Sequence, residues 1–399
     1  MKLCYIVYRE ENVMVYESQV LEYLRSMKEK KLFESIELIV FRHEQNLRKK
    51  EEVEARIYKY IDKTMTFWSF PVLSMAQLDA NALRLKRYIN RSYSKEEKIA
   101  VICRGDLAAC VGIKAFSSFP NSRILYDNRG LAYEESVMSH EGNFVHKINR
   151  EVKRKALNYS KSRCDMYNFV TNAMREYFLD QYKYNPNTLY TIIPTLYSAE
   201  QGTEEEFQSI VDREGYKTSD FVISYVGSTA AWQSTKQLIK LVRTIGEKYN
   251  EVRFFILSNG TIPELETMPL TIKNRIVMKS VPHKEMKYYL RMTNIGIVIR
   301  DNNIVNHVAA PTKIAEYLTS GVSILYSGDI GIISDLKSKT DGSQMICIDT
   351  EDDWLSKMNP DDYPEKKIDP LIVDHFDMDK RQLETYEMIT RAFASAKVK

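Results

Sequence analysis

Short apolar runs alternate with amphipathic stretches along nearly the whole chain. In the first half the runs span residues 3–8, 36–41, 99–103, 124–126, 167–170 and 190–193. Continuous apolar runs of this length are typical of strands that are buried on both faces. Between them, residues 15–28, 76–93 and 144–160 have apolar side chains at helical spacing, and each stretch is long enough to cross over a parallel sheet. The alternation therefore predicts an α/β fold made of βαβ units.

The same alternation starts again after a polar break. Residues 198–219 lose the apolar periodicity and contain one short helical turn, and further strands are predicted at 221–226, 252–257, 275–278, 295–299 and 323–326. Because 399 residues also exceed the size of one compact core, two domains are expected. We predict a first domain over residues 1–198, a linker over 199–219 and a second domain over 220–375. A helix within 376–399 is predicted to pack back on the first domain.

Two parallel α/β domains of this kind are expected to face each other across a cleft. The walls of such a cleft are the carboxyl ends of strands and the amino ends of helices. Unpaired backbone N–H groups and the positive ends of helix dipoles converge there, and together they bind phosphate groups. The cleft is therefore the expected active site.

The two halves of the chain differ in charge. Residues 1–200 carry 32 Lys and Arg against 25 Asp and Glu, whereas residues 201–399 carry 25 against 29. A basic first half suits an anionic membrane face, a phosphorylated acceptor or nucleic acid, and charge alone does not choose among them. The apolar run at residues 3–8 is too short for a signal-peptide core or a membrane span, and the five cysteines form no Cys-x-x-Cys pair. We therefore expect a cytoplasmic protein with reduced cysteines.

The stretch that follows Arg300 is the most informative part of the sequence. Pro311 suits the first turn of a helix and Gly321 suits its left-handed exit, which predicts about three helical turns. Lys313 and Glu316 are three residues apart and share one face of that helix. Lys313 and Arg300 suit the phosphates of a nucleotide-diphosphate sugar, and Glu316 suits two ribose hydroxyls. A solvated Lys–Glu pair that only stabilises the helix is the alternative.

This stretch resembles a known signature. The run PTKIAEYLTSG, with a strand ending in Arg300 ahead of it and residues 323–325 behind it, is similar to the donor signature of GT4-like glycosyltransferases with the GT-B fold. Other segments resemble that family in the same order, namely residues 126–130, 149–195, 221–228 followed by Trp232, and 281–286. The resemblance covers most of the chain and implies two Rossmann-like domains with parallel sheets that face each other across a cleft.

The resemblance also implies roles for individual residues. Glu316 would hold the ribose, and Lys313 and Arg300 would hold the diphosphate. Gly227 with Ser228 would let the backbone approach phosphate, although a simple turn is the alternative for this glycine. The other residues implied to line the donor site are Trp232, Pro282, Asn306, His307, Ala309, Ala310, Pro311 and Thr312. The implied donor is a nucleotide-diphosphate sugar.

The sequence departs from the family pattern at the donor site. Val308 occupies the position of the first glutamate of the family's Glu-x7-Glu pair, so Asn306, His307 or the backbone N–H groups of residues 308–312 would have to replace that carboxylate. We find no Asp-x-Asp motif of the kind that holds a divalent ion in other sugar transferases, and the six histidines show no zinc-ligand spacing. Fixed cations can stabilise a departing diphosphate by themselves, so we expect no required metal or other cofactor.

The first domain is expected to contribute the acceptor side. GT4-like enzymes retain the anomeric configuration, and in them the departing phosphate takes the acceptor proton, so the resemblance implies retention without a protein base. If a base is used, the candidates in loops after first-domain strands are Asp106, Asp127, Glu134, Glu135 and His140. A cap or a solvated residue is the alternative for each, and the sequence favours it. Arg104 and Arg129, each at a strand end before a glycine, suit either an anion contact or a structural ion pair.

Residues 143–163 form a strongly basic amphipathic stretch with a single acid, Glu151. Its cations include Lys147, Arg150, Lys153 and Arg154. Such a helix suits either a solvated face or contact with the anionic inner face of the plasma membrane, where it would bring a lipid-linked acceptor to the cleft. Nucleic acid is not expected as a partner, because no aromatic-basic motif of a known module is present.

Three functions are compatible with these features. The first is a glycosyltransferase that passes a sugar to a glycan or lipid-linked acceptor in cell-surface polysaccharide synthesis. The second is a GT-B-like scaffold that binds a nucleotide or a partner with weak turnover or none, which Val308 favours. The third is a sugar-nucleotide 2-epimerase, which has the same fold and would convert the donor alone.

Overall fold

The computed structural model describes residues 1–10, 12–42, 55, 60–69, 72–139, 144–196, 202–227 and 235–395. The chain divides into two compact units. The first unit combines Met1–Thr195 with Met378–Lys399, and the second unit is Leu196–Asp377. Each unit is built on a parallel β-sheet, which confirms the predicted α/β class.

The described residues of the first unit contain a seven-stranded sheet. Its strands are β1 (Lys2–Tyr8), β2 (Ile36–Arg42), β3 (Lys63–Trp68), β4 (Ile99–Arg104), β5 (Ser122–Asp127), β6 (Met166–Phe169) and β7 (Leu189–Ile192). They run parallel in the order β3-β2-β1-β4-β5-β6-β7. The chain changes direction across the sheet between β1 and β4, and ligands of such sheets bind at the carboxyl ends of the strands at this point.

Helices connect these strands. In the described part of the first unit, α1 (Val13–Tyr16) continues through a π-helical stretch (Glu17–Leu21) into α2 (Glu22–Glu29). The next helices are α3 (Met75–Ser92), α4 (Gly105–Phe116), α5 (Ala132–Ser139), α6 (Phe144–Ser160) and α7 (Asn172–Gln181). The helices predicted at 76–93 and 144–160 thus lie within one residue of their observed ends.

The described residues of the second unit contain a six-stranded sheet. Its strands are β8 (Phe221–Val226), β9 (Val252–Leu257), β10 (Ile276–Lys279), β11 (Ile295–Val298), β12 (Ser323–Tyr326) and β13 (Met345–Cys347). They run parallel in the order β10-β9-β8-β11-β12-β13. The direction changes between β8 and β11, so Gly227 and Arg300 both follow the strands at the point where ligands of such sheets bind.

The helices of the second unit surround this sheet. They are α8 (Glu204–Glu214), α9 (Thr235–Lys248), α10 (Leu270–Lys273), α11 (His283–Met292), α12 (Ile304–His307), α13 (Thr312–Thr319), α14 (Gly331–Lys337) and α15 (Pro370–Phe376). Helix α13 has eight residues, just over two turns, and is shorter than predicted. The reason is that Pro311 is the N-cap rather than part of the first turn, and the helix ends at Thr319 before the left-handed Gly321, with φ of +70°.

The C-terminal helix α16 (Met378–Ala394) belongs to the first unit. Gln382 Nε2 donates a hydrogen bond to the Tyr23 carbonyl (2.8 Å), and Arg123 Nε donates one to the Ala392 carbonyl (2.8 Å). These two hydrogen bonds attach the first part of α16 to α2 and its last turn to β5.

Besides the shorter α13, strands β3 and β13 and helix α8 differ from the sequence expectation. Strand β13 was not among the predicted strands, and it has only three residues. Strand β3 was not predicted, because it lies at the sheet edge, where its residues are only partly covered and form no continuous apolar run. The single turn expected between the domains is the three-turn helix α8, which Thr203 and Glu206 begin as a capping box. Among the described residues, no helix combines the length and apolar character that a bilayer span requires.

Candidate functional site

Arg300 is held at the carboxyl end of the second sheet. Its backbone N–H donates to Ser327 Oγ (3.4 Å), and Gly328 lies so close to the Arg300 carbonyl that a Cβ there would overlap it. Burial lowers the pKa of the Arg300 guanidinium, and its Nε is buried without a hydrogen-bond partner in the described residues. The Arg300 backbone is therefore fixed by neighbours, while its side chain keeps a donor for a further group.

Lys313 and Glu316 lie on α13 beside Arg300. Their exposed fractions are 8% and 9%. Burial lowers the pKa of Lys313 well below its usual range, the charge of Arg300 lowers it further, and the charge of Glu316 acts in the opposite direction. Lys313 Nζ also lies 4.7 Å from the centre of the Tyr225 ring at the end of β8. The second unit thus brings together the two cations and the carboxylate that were predicted to bind the donor.

This arrangement favours an anionic ligand. Burial disfavours the charged form of both cations, and the charge of Arg300 disfavours that of Lys313 further. A diphosphate that lies against Lys313 and Arg300 would favour their charged forms. The positive end of α13 lies at the same place, since Lys313 is the second residue of that helix.

The loop between β11 and α13 carries further predicted donor residues. Asn306 is 2% exposed, and its Nδ2 donates to the Asp301 carbonyl (2.9 Å), so its amide stabilises the loop. His307 Nδ1 pairs with Asp329 Oδ2 at 2.7 Å. Val308, at the position of the missing glutamate, is buried with an exposed fraction of 1%. Of the two side chains proposed to replace that carboxylate, His307 is the more exposed one.

The remaining predicted donor residues of this loop set the start of α13. The Ala309 carbonyl accepts a hydrogen bond from Ile332 N (3.4 Å), and Ala310 is buried. Pro311 is the N-cap of α13 and Thr312 is its first residue. The Ala309 hydrogen bond therefore links the loop at the amino end of α13 to α14.

The other predicted donor contacts lie after β8 and before α11. Gly227 N donates to the Leu257 carbonyl (3.1 Å) and so continues the pairing of β8 with β9. Pro282 is the exposed N-cap residue of α11. Ser228 and Trp232 lie outside the residues that the structure describes.

Tyr317 belongs to this site but was not singled out from the sequence. Its hydroxyl accepts a hydrogen bond from Val226 N (3.0 Å) and donates one to the Ser224 carbonyl (3.1 Å), which ties α13 to the end of β8. A tyrosine directly after Glu316 on an apolar helix face was the available signal, but such a residue is indistinguishable from an ordinary core residue in the sequence.

In the first unit, Asp127 is the centre of a polar network at the carboxyl ends of β4 and β5. It accepts hydrogen bonds from Arg129 Nε (2.8 Å) and Asn168 Nδ2 (2.7 Å), and from the Tyr5 hydroxyl (3.3 Å). Arg104 Nη1 lies 3.8 Å from the same carboxylate. Asp127, Arg129 and Arg104 are therefore brought together, and both arginines make ion pairs with the aspartate.

The other candidate bases of the first unit form a second polar group. The Tyr126 hydroxyl donates to Asp106, and burial raises the pKa of Asp106 to about 7. Glu134 accepts a hydrogen bond from the Tyr177 hydroxyl (3.0 Å), and burial raises the pKa of Glu135. His140 lies outside the described residues. Asp106 and Asp127 therefore have different surroundings, the first bonded to a tyrosine hydroxyl and the second paired with two arginines.

The basic helix α6 differs along its length. Arg154 makes a two-point ion pair with Glu151 (2.7 and 2.8 Å), and Lys153 Nζ donates to Ser136 Oγ (2.8 Å). Lys147 is exposed and Arg150 is partly buried. Within the described residues, no group of three or more His, Cys, Asp and Glu side chains has the arrangement of a metal site.

Comparison with known proteins identifies the architecture. No protein-family model matches the chain, and no curated protein matches it. Alr3699/HepE of Anabaena, solved in complex with UDP, matches with a TM-score of 0.66 and 11% identity, over 97% of this chain and 100% of that chain. The lipopolysaccharide outer core galactosyltransferase WaaB, in its apo form, matches with a TM-score of 0.65 and 12% identity over 99% of both chains.

The chain has the GT-B fold. A putative UDP-N-acetylglucosamine 2-epimerase from Listeria monocytogenes also matches, with a TM-score of 0.58 and 13% identity over 98% of this chain and 96% of that chain. At identities of this size the likeness is one of fold. The activity of this GT-B protein therefore has to be argued from its own residues.

Proposed function

We propose that this GT-B protein is a glycosyltransferase that moves a sugar from a nucleotide-diphosphate sugar to a glycan or lipid-linked acceptor. The observation that carries the proposal is the group formed by buried Lys313 and Glu316 and partly buried Arg300, at the point where the second sheet changes direction. Two cations and one carboxylate match two parts of a UDP-, GDP- or ADP-sugar, its diphosphate and its ribose.

In this proposal the two cations act on the leaving group. Negative charge develops on the departing diphosphate as the sugar–oxygen bond breaks, and preorganised cations in a site poor in water stabilise it strongly. Lys313 and Arg300 supply those charges, and the amino end of α13 adds to them. Glu316 holds the ribose hydroxyls and so fixes the donor against the cations.

The stereochemical course that we propose is retention, on the basis of the GT4-like signature at residues 311–321. A phosphate oxygen of the departing diphosphate takes the proton of the acceptor hydroxyl, so no base from the protein is needed. Asp127 suits a positioning role on the acceptor side, because the hydrogen bonds that it accepts from Arg129 and Asn168 fix its carboxylate in place.

We also propose that the protein works at the cytoplasmic face of a membrane, in cell-surface polysaccharide synthesis. The first turn of α6 supports this, since Phe144 has an exposed fraction of 73% and Val145 one of 49%. Exposed Lys147 lies on the same turn. Apolar side chains next to a basic residue suit the boundary between acyl chains and anionic headgroups.

The experiment that tests the transferase is donor cleavage without acceptor. The purified protein is incubated with UDP-, GDP- and ADP-sugars, and released nucleoside diphosphate is measured. We expect slow release from one donor class, and Glu316→Ala should lower kcat/KM about 10- to 100-fold because two hydrogen bonds to a charged acceptor are lost. Glu247→Ala, an exposed change on α9, is the matched control and should leave the rate unchanged. No release from any donor would contradict the proposal.

A sugar-nucleotide 2-epimerase is the second candidate, because the Listeria protein described above has the same fold. The same incubation separates the two functions. An epimerase would change the configuration of the sugar at carbon 2 while it stays in the nucleotide-sugar pool, whereas a transferase would release nucleoside diphosphate and a free sugar of unchanged configuration at carbon 2. Chromatography of the sugar products decides between them.

A further inference from the structure

The end of β8 is completed by a side chain rather than by a strand. β8 pairs with β9 along its full length, but on its other side it pairs with β11 only at Ile223 and Ser224. Beyond that point the Tyr317 hydroxyl continues the ladder, because it accepts from Val226 N (3.0 Å) and donates to the Ser224 carbonyl (3.1 Å). A backbone N–H that is removed from water without a partner is costly. The Tyr317 hydroxyl provides the acceptor for Val226 N, which a phenylalanine could not do.

The fold makes room for this tyrosine at Gly296. A Cβ on Gly296 would lie 2.5 Å from three carbons of the Tyr317 ring, closer than such contacts occur. The ring therefore lies directly on the backbone of β11 and brings its hydroxyl to the gap beside β8. The position of the Tyr317 ring therefore requires a glycine at residue 296.

The hydroxyl links the two elements that carry the donor residues. Lys313 and Glu316 precede Tyr317 on α13, and Val226 directly precedes Gly227. Lys313 Nζ already lies 4.7 Å from the Tyr225 ring of the same strand. Removal of the Tyr317 hydroxyl would therefore alter the distance between Lys313 on α13 and Gly227 at the end of β8.

We propose that Tyr317 is a positioning residue, whose hydroxyl sets the end of β8 and Gly227 relative to Lys313 and Glu316 so that one nucleoside diphosphate can contact both elements. This inference rests on the proposed function, since it assumes that these elements bind the donor. Tyr317 itself needs no contact with the ligand. Its effect on binding passes through Val226 and Gly227.

Calorimetric titration with UDP, GDP and ADP tests this role. Tyr317→Phe removes the hydroxyl and keeps the ring on Gly296, and we expect Kd for the tightest of the three to rise about tenfold. Tyr249→Phe is the matched control, because its buried hydroxyl also donates to a backbone carbonyl, that of Leu355 (2.7 Å), in the same unit. It should lower Tm to a similar extent and leave Kd unchanged.

A second variant approaches the same contact from the other side. Gly296→Ala keeps the hydroxyl but pushes the ring away, so it should also raise Kd. If Tyr317→Phe and Gly296→Ala bind nucleotide as tightly as the wild-type protein, the positioning role is overturned while the proposed function stands. If the wild-type protein binds none of the three nucleotides, the proposed function is overturned, and this role with it.

Discussion

Lys313 shows how burial changes the properties of an ordinary side chain. A lysine on a helix three residues before a glutamate usually forms a solvated pair, but here both side chains are buried and Arg300 adds a second cation. The pKa of Lys313 is lowered because its charge is disfavoured by burial and by Arg300. A bound anion would favour the charged form of Lys313 and so raise its pKa again. Ligand binding and proton uptake are therefore expected to be coupled at this residue.

This coupling predicts the direction of a pH dependence. A bound diphosphate raises the pKa of Lys313 above its lowered value in the free protein, so between these two values binding takes up a proton. Affinity for a nucleotide-diphosphate sugar should therefore be highest below the pKa of the free protein and should fall as the pH rises through the window. Calorimetric Kd values measured over a pH series check this.

The control for this titration is Lys313→Met, which keeps much of the side-chain length without the charge. The variant should bind more weakly at low pH and should lose the slope. Lys248→Met, an exposed change at the end of α9, should keep both the affinity and the slope of the wild-type protein. A wild-type affinity that rises with pH would show that Lys313 does not contact the diphosphate.

For single residues, the sequence indicated which charged side chains form the candidate site, but not which residues contact one another. Lys313, Glu316 and Arg300 could be chosen from their spacing and from the resemblance, and the structure places them together. Asn306 was considered as a replacement for the missing glutamate, but its amide is bound to the Asp301 carbonyl. Contacts between residues far apart in the chain, such as Tyr317 with Val226, depend on how the strands pair and leave no local pattern.

Helix α6 is the element whose two parts have different surroundings. From Val152 onward its apolar residues Val152, Ala156 and Leu157 are buried, as their helical spacing predicts. Phe144 and Val145 follow the same spacing, yet they are exposed. Nearby Val137 and Met138 at the end of α5 are exposed too, which leaves an apolar surface on a strongly basic part of the chain.

If this surface inserts into a membrane, Phe144→Ser should weaken binding to vesicles. Burial of a phenylalanine side chain contributes about 1.5–3 kcal/mol, so we expect at least a tenfold loss of partitioning onto vesicles that contain phosphatidylglycerol. Leu270→Ser is the matched control, because Leu270 has the same exposed fraction of 73% but lies in the second unit. Sedimentation with sucrose-loaded vesicles measures both.

The outcome that would contradict membrane insertion is equal binding of Phe144→Ser and the wild-type protein to these vesicles. Binding should also be weaker on vesicles of phosphatidylcholine alone, since Lys147 and Arg150 add attraction to anionic headgroups.

Among the elements, most strands and the long helices were predictable, including the edge strands β7 and β10, whereas β3, β13 and α8 were not. Helix α6 was predicted with its observed ends because three and more turns of apolar spacing are a strong signal. Strand β3 was not predicted because its partly covered residues form no continuous apolar run. Helix α8 was predicted as a single turn because only Phe207 and Ile210 are buried on it. Whether such segments form a strand or a helix depends on packing against distant parts of the chain, which the local sequence does not show.

For the whole molecule, the repeated alternation of apolar runs and amphipathic helices was enough to predict two parallel α/β units. Parallel neighbours need crossover helices, and right-handed crossovers produce sheets that change direction once, which both sheets do. The site of the second unit follows from this topology, because Gly227 and Arg300 both follow the strands that flank the change, β8 and β11. What the fold alone leaves open is the chemistry, since epimerases and transferases share it.

The central claim is that Lys313, Arg300 and Glu316 hold a nucleoside diphosphate. The most direct test is a crystal structure of the protein with the tightest binder among UDP, GDP and ADP. The account predicts diphosphate oxygens within hydrogen-bond distance of Lys313 Nζ and the Arg300 guanidinium, with ribose hydroxyls at the Glu316 carboxylate. A nucleotide bound away from all three side chains would contradict it.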